Sequence, residues 1–373
     1  MNRPFVFSAD AHIAEPPDLY VQNLPKHLQH WAFSVEVEGK NFLLKIGDRV
    51  RLKVYRNFHD HKTGVLDSPD VRRMGGRDLN LRLKDMERDG VDAELCFPNL
   101  AMSAQCITDP EAALLTAQIY NNWAHDYLKG LEHKLIATAM IPVADLNAGL
   151  AEMERAIGMG FKAVMLPSVV PEGTPNYNDP AWDPIFALGA ATGTPFTVHV
   201  SSGDEPVRAM RGPGGALYNY ATKVNYAVNV ISLLVGGGVL DRNPKAKVVF
   251  AEYGAGWLMG LAERLDEVYF GHAPMVQPKL QRLPSQIVKD QIVCSFQNDI
   301  GALRTIPRMG AQTMIFATDY PHSEGTFPYS RELVDRMFDS VPELSREDRE
   351  AVLGMNAARL FKIDVAKARA LAA

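Results

Sequence analysis

Three potential metal ligands stand close together near the start of the chain, where an apolar run gives way to a loop. Asp10, His12 and Glu15 follow the run at residues 5–7, and the two prolines after Glu15 prevent further regular strand pairing. Because alternate residues of a strand face the same side, Asp10 and His12 can reach one point, whereas Glu15 must approach from the loop. The spacing indicates a strand that ends at a metal ion, and an ordinary polar strand end is the alternative.

Three further side chains of the same kinds end apolar runs later in the chain. These are His199, Glu252 and Asp319, and His322 follows Asp319 after a proline. Burying a carboxylate without a positive partner costs free energy, so Glu252 and Asp319 favour a nearby metal ion or basic group. His199 taken alone fits a metal ligand and a core histidine bonded to a backbone carbonyl equally well.

The segments that would position these residues alternate between short apolar strands and helices. Eight strand–helix units predict a closed (β/α)8 TIM barrel, with an open doubly wound sheet as the alternative. His12, His199, Glu252 and Asp319 all fall at carboxyl ends of predicted strands, the rim where such barrels carry their chemistry. The predicted strands lie near residues 5–12, 93–97, 135–141, 161–166, 195–200, 247–252, 291–296 and 314–319. The predicted helices lie near residues 79–90, 110–131, 147–159, 180–191, 220–235, 257–270 and 300–309.

Residues 31–60 differ in character from the rest of the chain. Polar and apolar residues alternate there between glycine-containing turns, which predicts antiparallel hairpins inserted after the first barrel strand. His59, Asp60 and His61 fall in the loop beyond the hairpins, where an exposed surface loop is favoured over a cap on the site. The 373 residues are otherwise expected to form one barrel domain.

Composition excludes several classes of function. The 39 basic and 44 acidic residues give a net charge of -5 without a long basic run, which argues against a nucleic-acid partner. The sequence contains neither a secretory leader nor an apolar stretch long enough for a membrane helix, so we expect a cytoplasmic protein. Its three cysteines lack a zinc or disulfide spacing and are expected to be reduced, with Cys96 a core residue rather than a nucleophile.

These motifs resemble the amidohydrolase-related family, the branch of the amidohydrolase superfamily that includes aminocarboxymuconate semialdehyde decarboxylase. The resemblance rests on Asp-x-His-x-x-Glu-Pro, the strand-ending His199, Ala-Glu-Tyr-Gly-Ala-Gly-Trp and Thr-Asp-Tyr-Pro-His-Ser-Glu-Gly, and extends to Asn356-Ala-Ala-Arg-Leu-Phe. It implies a homodimer or other homo-oligomer. It also implies a divalent metal ion bound by Asp10, His12, His199 and Asp319.

The sequence departs from decarboxylating members of that family at two positions. Such relatives usually carry His or Glu in place of Asp10, and a catalytic His in place of Glu252. Adding Glu15, Glu252 and His322 gives seven potential ligands, enough for a carboxylate-bridged pair of metals, while a single ion with nearby carboxylates is the alternative. Zinc, manganese and iron all suit such a mixed set of ligands.

Three classes of reaction follow from this centre. In a metal-dependent hydrolase, the metal would activate water and Asp319 or Glu252 would transfer the proton, with His199 as the third catalytic residue. In a non-oxidative decarboxylase, the metal would hold the substrate carboxylate while an adjacent acid protonates the carbon. A dinuclear iron or manganese oxygenase and a non-catalytic metal-binding relative are the remaining alternatives.

The substrate is expected to be a small organic molecule that carries a carboxylate. Arg208 and Arg211 lie in a glycine-containing loop after the fifth predicted barrel strand and could contact such a group. Tyr253 and Trp257 could line an apolar pocket near the rim, and Asn298 is a further polar candidate. Exposed surface positions for the arginines and core packing for the aromatic residues are the alternatives.

Overall fold

The computed structural model describes residues 3–39, 41–47, 49–55, 74–206, 210–322 and 324–370. Within these residues, nine strands belong to parallel sheets, and helices separate most of them along the chain. Three more strands lie between β1 and the second helix. The strands are β1 (Phe7–Ile13), β2 (Phe33–Glu38), β3 (Asn41–Ile46), β4 (Arg49–Tyr55), β5 (Ala93–Pro98), β6 (Leu135–Ala137), β7 (Ala139–Met140), β8 (Val164–Leu166), β9 (Phe196–His199), β10 (Val248–Ala251), β11 (Ile292–Phe296) and β12 (Met314–Phe316).

The helices follow the strands in an α/β arrangement. They are α1 (Leu19–Asn23), α2 (Leu79–Asp89), α3 (Pro110–Tyr127), α4 (Leu146–Met159), α5 (Asp183–Thr192), α6 (Gly215–Ala221), α7 (Val224–Gly236), α8 (Val239–Arg242), α9 (Leu258–Gly271), α10 (Pro284–Gln291), α11 (Ile300–Met309), α12 (Ser330–Asp339), α13 (Arg346–Glu350), α14 (Asn356–Leu360) and α15 (Val365–Ala370). Several begin at an aspartate that caps free backbone N–H groups, as Asp78 does for α2 and Asp145 for α4. Among the described residues, no helix is both long and apolar enough to cross a membrane.

The strands form two parallel sheets and one antiparallel sheet. The parallel sheets have the orders β1-β5-β6 and β12-β11-β10-β9-β8-β7, and the antiparallel sheet has the order β2-β3-β4. The antiparallel pairing of residues 33–55 is what the alternating sequence predicts for this segment. The parallel strands are buried along their whole lengths, which explains why they read as continuous apolar runs.

Backbone hydrogen bonds connect the two parallel sheets at both ends. Thr138 separates β6 from β7, and its N–H donates to Cys96 in the first sheet while the next N–H donates to Ala163 beside the second. At the opposite edge, the N–H of Asp319 donates to the carbonyl of Asp10 at 2.8 Å. The strand that carries Asp10 therefore lies directly beside the segment that carries Asp319.

Two predicted helices differ from those observed. The helix predicted over 110–131 ends at Tyr127, because the chain turns at Leu128 and reaches a left-handed Gly130. The helix predicted over 220–235 is instead two helices, α6 and α7. They are separated at Thr222 and Lys223, where the N–H groups of Lys223, Asn225 and Tyr226 each donate to the carbonyl three residues back rather than four.

Candidate metal centre

Asp10 and His12 lie on the same face of β1, as the alternation of a strand requires. Both side chains are almost fully buried, and His12 Nε2 lies 3.6 Å from Asp10 Oδ1. The same nitrogen lies 3.4 Å from Oδ1 of Asp319. The N–H of His12 also donates to the carbonyl of Tyr320, which fixes the end of β1 against the segment that follows β12.

His199 ends β9 and reaches the same point from the other sheet. Its Nδ1 lies 2.7 Å from the carbonyl of Val200, so Nδ1–H donates there and Nε2 is left facing Asp10 Oδ1 at 3.2 Å. The His199 ring meets that of His12 edge to face at 5.0 Å. The side chains of His12 and His199 therefore lie beside each other and beside Asp10.

Sharp backbone turns aim three side chains of this region. Ser201, Glu252 and Asp319 have positive φ angles of 66°, 66° and 58°, a conformation that residues other than glycine rarely adopt. Each turn follows the end of a parallel strand. It redirects the chain within one residue, and such local strain is often found at functional sites.

Among the residues that the structure describes, three overlapping groups of side chains could each hold a metal ion. In each group, one potential ligand atom per residue lies within 4.8 Å of the others. His322 stacks on His12 at 4.1 Å, and its Nδ1 lies 2.9 Å from Asp319 Oδ1. Glu252 lies 3.8 Å from His199. The groups are Asp10, His12 and His199; His12, Asp319 and His322; and Glu252, Asp319 and Glu324.

Unpartnered buried atoms show that these residues fit a metal ion. Both ring nitrogens of His12 and both carboxylate oxygens of Asp319 are buried and form no hydrogen bond with any residue that the structure describes. Buried polar groups nearly always have partners, because desolvation without a compensating bond is costly. A divalent cation between an imidazole nitrogen and a carboxylate oxygen would satisfy both kinds of atom.

The pKa values in the metal-free site follow from burial and from these pairings. Burial, then the charge of His322, lowers the pKa of His12 to about 4, so its ring is neutral and able to bind a metal. Burial opposes protonation of His199, but the nearby Asp10 carboxylate overcomes it and raises the pKa to about 10. Burial likewise opposes protonation of His322, yet its contact with Asp319 raises the pKa to about 9.

The two carboxyl groups of Glu252 and Asp319 shift in opposite directions. Burial, and then the negative charge of Asp319, raises the pKa of Glu252 to about 8, although a quarter of its side chain remains exposed. Burial alone would also raise the pKa of Asp319, but its contacts with His12 and His322 hold it well below the usual range. Asp319 is therefore the ionised member of the pair.

Glu15 is not brought to this centre, contrary to the expectation that it is a ligand. Its carboxylate accepts hydrogen bonds from the backbone N–H groups of Asn99, Leu100 and Ala101, at distances of 2.8–3.2 Å. The hydroxyl of Tyr20 donates to it as well. Within the described ranges, Glu15 belongs to none of the ligand groups. The Glu15 carboxylate therefore connects the loop after β1 to the loop after β5.

The predicted substrate-binding residues occupy varied positions. Tyr253 is buried, and the Trp257 indole N–H donates to its carbonyl at 2.9 Å, so the aromatic pair is part of the packing beside Glu252. Arg211 and Asn298 are exposed. Arg208 and the predicted loop residues His59, Asp60 and His61 lie outside the described residues.

Two residues near the centre were missed from the sequence. Glu324 belongs to the third ligand group, and its place two residues after His322 is the signal that could have identified it. Arg82 is fully buried and donates from Nη1 to the carbonyl of His12 at 2.7 Å. No local pattern signals the contact of Arg82 with His12, because the two residues lie 70 positions apart in the sequence.

Comparison with known proteins identifies the family of this chain. The family model described as Amidohydrolase matches residues 9–363, nearly the whole chain. The chain belongs to the amidohydrolase family. It is 24% identical over 289 residues to 2-amino-3-carboxymuconate-6-semialdehyde decarboxylase from Dictyostelium discoideum, covering 77% of each chain. It is 25% identical over 303 residues to gamma-resorcylate decarboxylase from Rhizobium radiobacter, covering 76% of this chain and 86% of the relative. These relatives are enzymes, which agrees with the resemblance inferred from the motifs.

Solved structures share the fold of this amidohydrolase. An amidohydrolase from Mycobacterium avium subsp. paratuberculosis K-10 aligns with a TM-score of 0.76 and 19% identity, covering 98% of this chain and 100% of that one. A dihydroxybenzoic acid decarboxylase from Polaromonas sp. JS666, with bound manganese and the inhibitor 2-nitroresorcinol, aligns with a TM-score of 0.63 and 17% identity. That alignment covers 96% of this chain and 97% of the Polaromonas chain.

Proposed function

We propose that this amidohydrolase is a metal-dependent carboxy-lyase that removes carbon dioxide from a small organic carboxylate. The observation that carries the proposal is the buried set Asp10, His12, His199 and Asp319, in which His12 and Asp319 have unpartnered ligand atoms. The two curated relatives described above are both decarboxylases, one of a semialdehyde and one of an aromatic acid. Metal-dependent hydrolysis on the same centre is the second candidate, because a metal-bound water would serve equally well there.

The four proposed ligands have distinct tasks. A bound divalent cation such as manganese, zinc or iron would supply Lewis-acid stabilisation of negative charge on the substrate. Asp10 and Asp319 would neutralise the cation, and His12 presents a neutral ring to it. His199 is oriented through Nδ1 by the carbonyl of Val200, which leaves Nε2 for the metal.

The reaction also needs a group that delivers a proton to the carbon from which carbon dioxide departs. Two groups beside Asp319 hold a proton near neutral pH in the metal-free chain, because the pKa of Glu252 is raised to about 8 and that of His322 to about 9. Asp319 itself remains ionised, so we do not assign it the role of acid. His322 is one-third exposed, which allows its proton to be replaced from solvent.

We also infer the arrangement around this centre. The hydrogen bonds that connect both edges of the parallel sheets support closure into a (β/α)8 barrel, in which β6 and β7 form one interrupted strand. One continuous cluster of buried apolar residues supports a single domain, with β2–β4 as an insertion. Three expectations stay predictions: that the chain forms a homo-oligomer, that Arg211 contacts the substrate, and that the protein is cytoplasmic.

An assay of carbon dioxide release tests this proposal directly. The metal-free chain reconstituted with Mn²⁺ would be given a panel of hydroxybenzoates and small unsaturated carboxylates, with amides and lactones in parallel. We expect metal-dependent carbon dioxide release from at least one acid, lost in Asp319→Asn. Hydrolysis without carbon dioxide release would establish the second candidate instead, and inactivity towards both sets would argue against both. The named relatives include no oxygenase and no non-catalytic protein, so neither alternative gains support from them.

A further inference from the structure

We propose that Glu205 is a positioning residue for His199, acting through the peptide group that joins Val200 to Ser201. The proposal rests on His199 being a ligand of the metal centre described under the proposed function. The carbonyl of this peptide group accepts the proton of His199 Nδ1 at 2.7 Å. Its N–H, which belongs to Ser201, donates to Oε1 of Glu205 at 3.0 Å. One peptide group therefore connects a carboxylate to the imidazole ring.

A carboxylate at the N–H end of a peptide group makes the carbonyl at the other end a stronger acceptor. Hydrogen bonds that form a chain in the protein interior polarise one another, and bonds to carboxylates are among the stronger ones. The Val200 carbonyl should therefore hold the Nδ1 proton of His199 firmly, which leaves Nε2 for the cation. Partners on the far nitrogen of a ligand histidine fix its tautomer and raise its affinity for metal.

The Glu205 side chain is almost fully buried, and its partners hold it in one position. Its Oε2 forms an ion pair with Nζ of Lys223, next to the start of α7. The hydroxyl of Ser168, in the loop after β8, lies 2.5 Å from Oε1. Burying a carboxylate is costly unless such partners are present. The carboxylate is therefore fixed against the peptide group that it accepts from.

The antiparallel insertion holds the backbone of the turn that carries Glu205. Arg51 of β4 donates from Nη2 to the carbonyl of Gly203 at 2.5 Å and to that of Glu205 at 3.2 Å. Gly203 has a φ angle of 67°, and a Cβ there would lie 2.2 Å from the carbonyl oxygen of Val169. The turn thus packs closely against the loop after β8. The insertion thereby supports the metal centre without contributing a ligand.

A buried ion pair that only supports the fold is the alternative for Glu205 and Lys223, so the test separates stability from metal binding. Glu205→Gln keeps the size of the side chain and an acceptor oxygen but removes the charge. We expect its affinity for Mn²⁺ and Zn²⁺, measured by competition with a chelator, to fall about tenfold. Its urea unfolding midpoint should also fall, because Lys223 loses its partner.

The double variant Glu205→Gln/Lys223→Met removes both charges of the pair. It should recover much of the unfolding midpoint, while the affinity for both ions stays about tenfold lower than in the wild type. Glu152→Gln is the matched control, because Glu152 is also buried and paired, with Arg155 at 2.7 Å on α4. This control should lower the midpoint and leave the metal affinity unchanged.

Nuclear magnetic resonance of the histidine rings reports on the hydrogen bond itself. In the diamagnetic Zn²⁺-loaded chain, the Nδ1 proton of His199 can be identified by its absence in His199→Gln. We expect this proton to resonate upfield of its wild-type position in Glu205→Gln and in the double variant, because its acceptor is weaker. It should not move in Glu152→Gln. Support of the fold alone would not shift it in the double variant.

The possible results separate this proposal from the proposed function. Unchanged affinity and an unmoved His199 signal in Glu205→Gln would overturn the role of Glu205, and intact carbon dioxide release would leave the carboxy-lyase proposal standing. Recovery of both midpoint and affinity in the double variant would assign the pair to the fold alone. A wild type that binds neither ion would overturn both proposals.

The converse result is equally distinct. Lowered affinity and a shifted signal, in a wild type that releases no carbon dioxide, would support the role of Glu205 and count against the carboxy-lyase. Circular dichroism checks the folding of every variant. If Glu205→Gln does not fold, the double variant gives the same comparison of affinity and ring signal with the wild type.

Discussion

His199 is the residue whose surroundings separate a metal ligand from a core histidine. Its Nδ1 is bonded to the carbonyl of Val200, and its Nε2 faces Asp10 rather than a backbone acceptor. Both nitrogens of His199 therefore have partners within the protein. What favours a metal ligand is that the partner of Nε2 is Asp10, which forms a buried group of potential ligands with His12 and His199.

We therefore expect His199→Ala to abolish turnover and to lower metal affinity by at least about a hundredfold, while the chain still folds. The reason is that strand β9 is held by its apolar neighbours and by backbone pairing with β8 and β10. Metal titration, turnover and circular dichroism on one preparation would check this. Loss of folded structure at ordinary temperature would favour the core-histidine interpretation.

Cys96, unlike His199, is expected to take no part in metal binding or in the reaction. Burial raises the pKa of its thiol to about 12, so the thiolate needed for nucleophilic attack is absent at neutral pH. Cys96→Ala should keep the metal content and most of the turnover. It should lower stability modestly, because it removes buried volume beside Arg82. A loss of turnover at unchanged metal content would show that the thiol takes part in the reaction.

At the scale of elements, Arg82 of α2 connects β1, β5 and the segment after β12. Its Nε donates to Glu94 at 2.7 Å, its Nη1 donates to the carbonyl of His12, and its guanidinium lies over the Tyr320 ring at 5.2 Å. Both members of the Arg82–Glu94 ion pair are almost fully buried. The helix thereby fixes the strand end that carries His12 relative to the residue next to Asp319.

Removing only the arginine leaves the Glu94 side chain buried without its partner, so Arg82→Met should destabilise the chain by about 3–5 kcal/mol. It should also weaken metal binding, because the end of β1 loses its anchor. The double variant Arg82→Met/Glu94→Leu should recover much of the stability. Urea unfolding midpoints would measure both effects, with Arg346→Met as the control at an exposed ion pair. Equal midpoints for Arg82→Met and Arg346→Met would contradict the expectation.

The arrangement of strands and loops explains which site residues the sequence could predict and which it could not. His12, His199 and Asp319 were identifiable because each ends an apolar run, and parallel strands bring their ends to one edge. The position of the Glu15 side chain could not be predicted. It depends on hydrogen bonds from the loop at 99–101, and no local sequence pattern connects that loop to Glu15. The Arg82 contacts were missed for the same reason, since they join segments far apart in the sequence.

At the scale of the whole molecule, metal binding should be coupled to stability and to pH. A cation that binds only the folded chain stabilises it by mass action, so added Mn²⁺ should raise the melting temperature of the stripped protein. Asp10, His12 and Asp319 come together only when residues distant in sequence are brought to one edge. The increase should therefore disappear in Asp319→Asn, and thermal unfolding with and without Mn²⁺ would check it.

The direction of the pH dependence follows from the metal-free pKa values. Neighbouring carboxylates raise the pKa of His199 to about 10 and that of His322 to about 9 against the effect of burial. Burial, and then the charge of Asp319, raises the pKa of Glu252 to about 8. In the metal-free chain, the raised pKa values of the two histidines stabilise the fold below their unfolded pKa of 6.5, and this contribution is lost as pH rises through about 9 to 10. A metal ion must displace these protons from the groups that it binds.

The affinity for Mn²⁺ should therefore increase between pH 6 and 8, about tenfold per pH unit for each proton displaced. Calorimetric titrations in buffers of different ionisation enthalpy would count the protons released at each pH. His322→Gln serves as the control, because it removes one titrating group while leaving Asp10, His12, His199 and Asp319 in place. An affinity that falls or stays constant over this range would contradict the proposed ligands, since neutral histidines and free carboxylates would then not be what the cation requires.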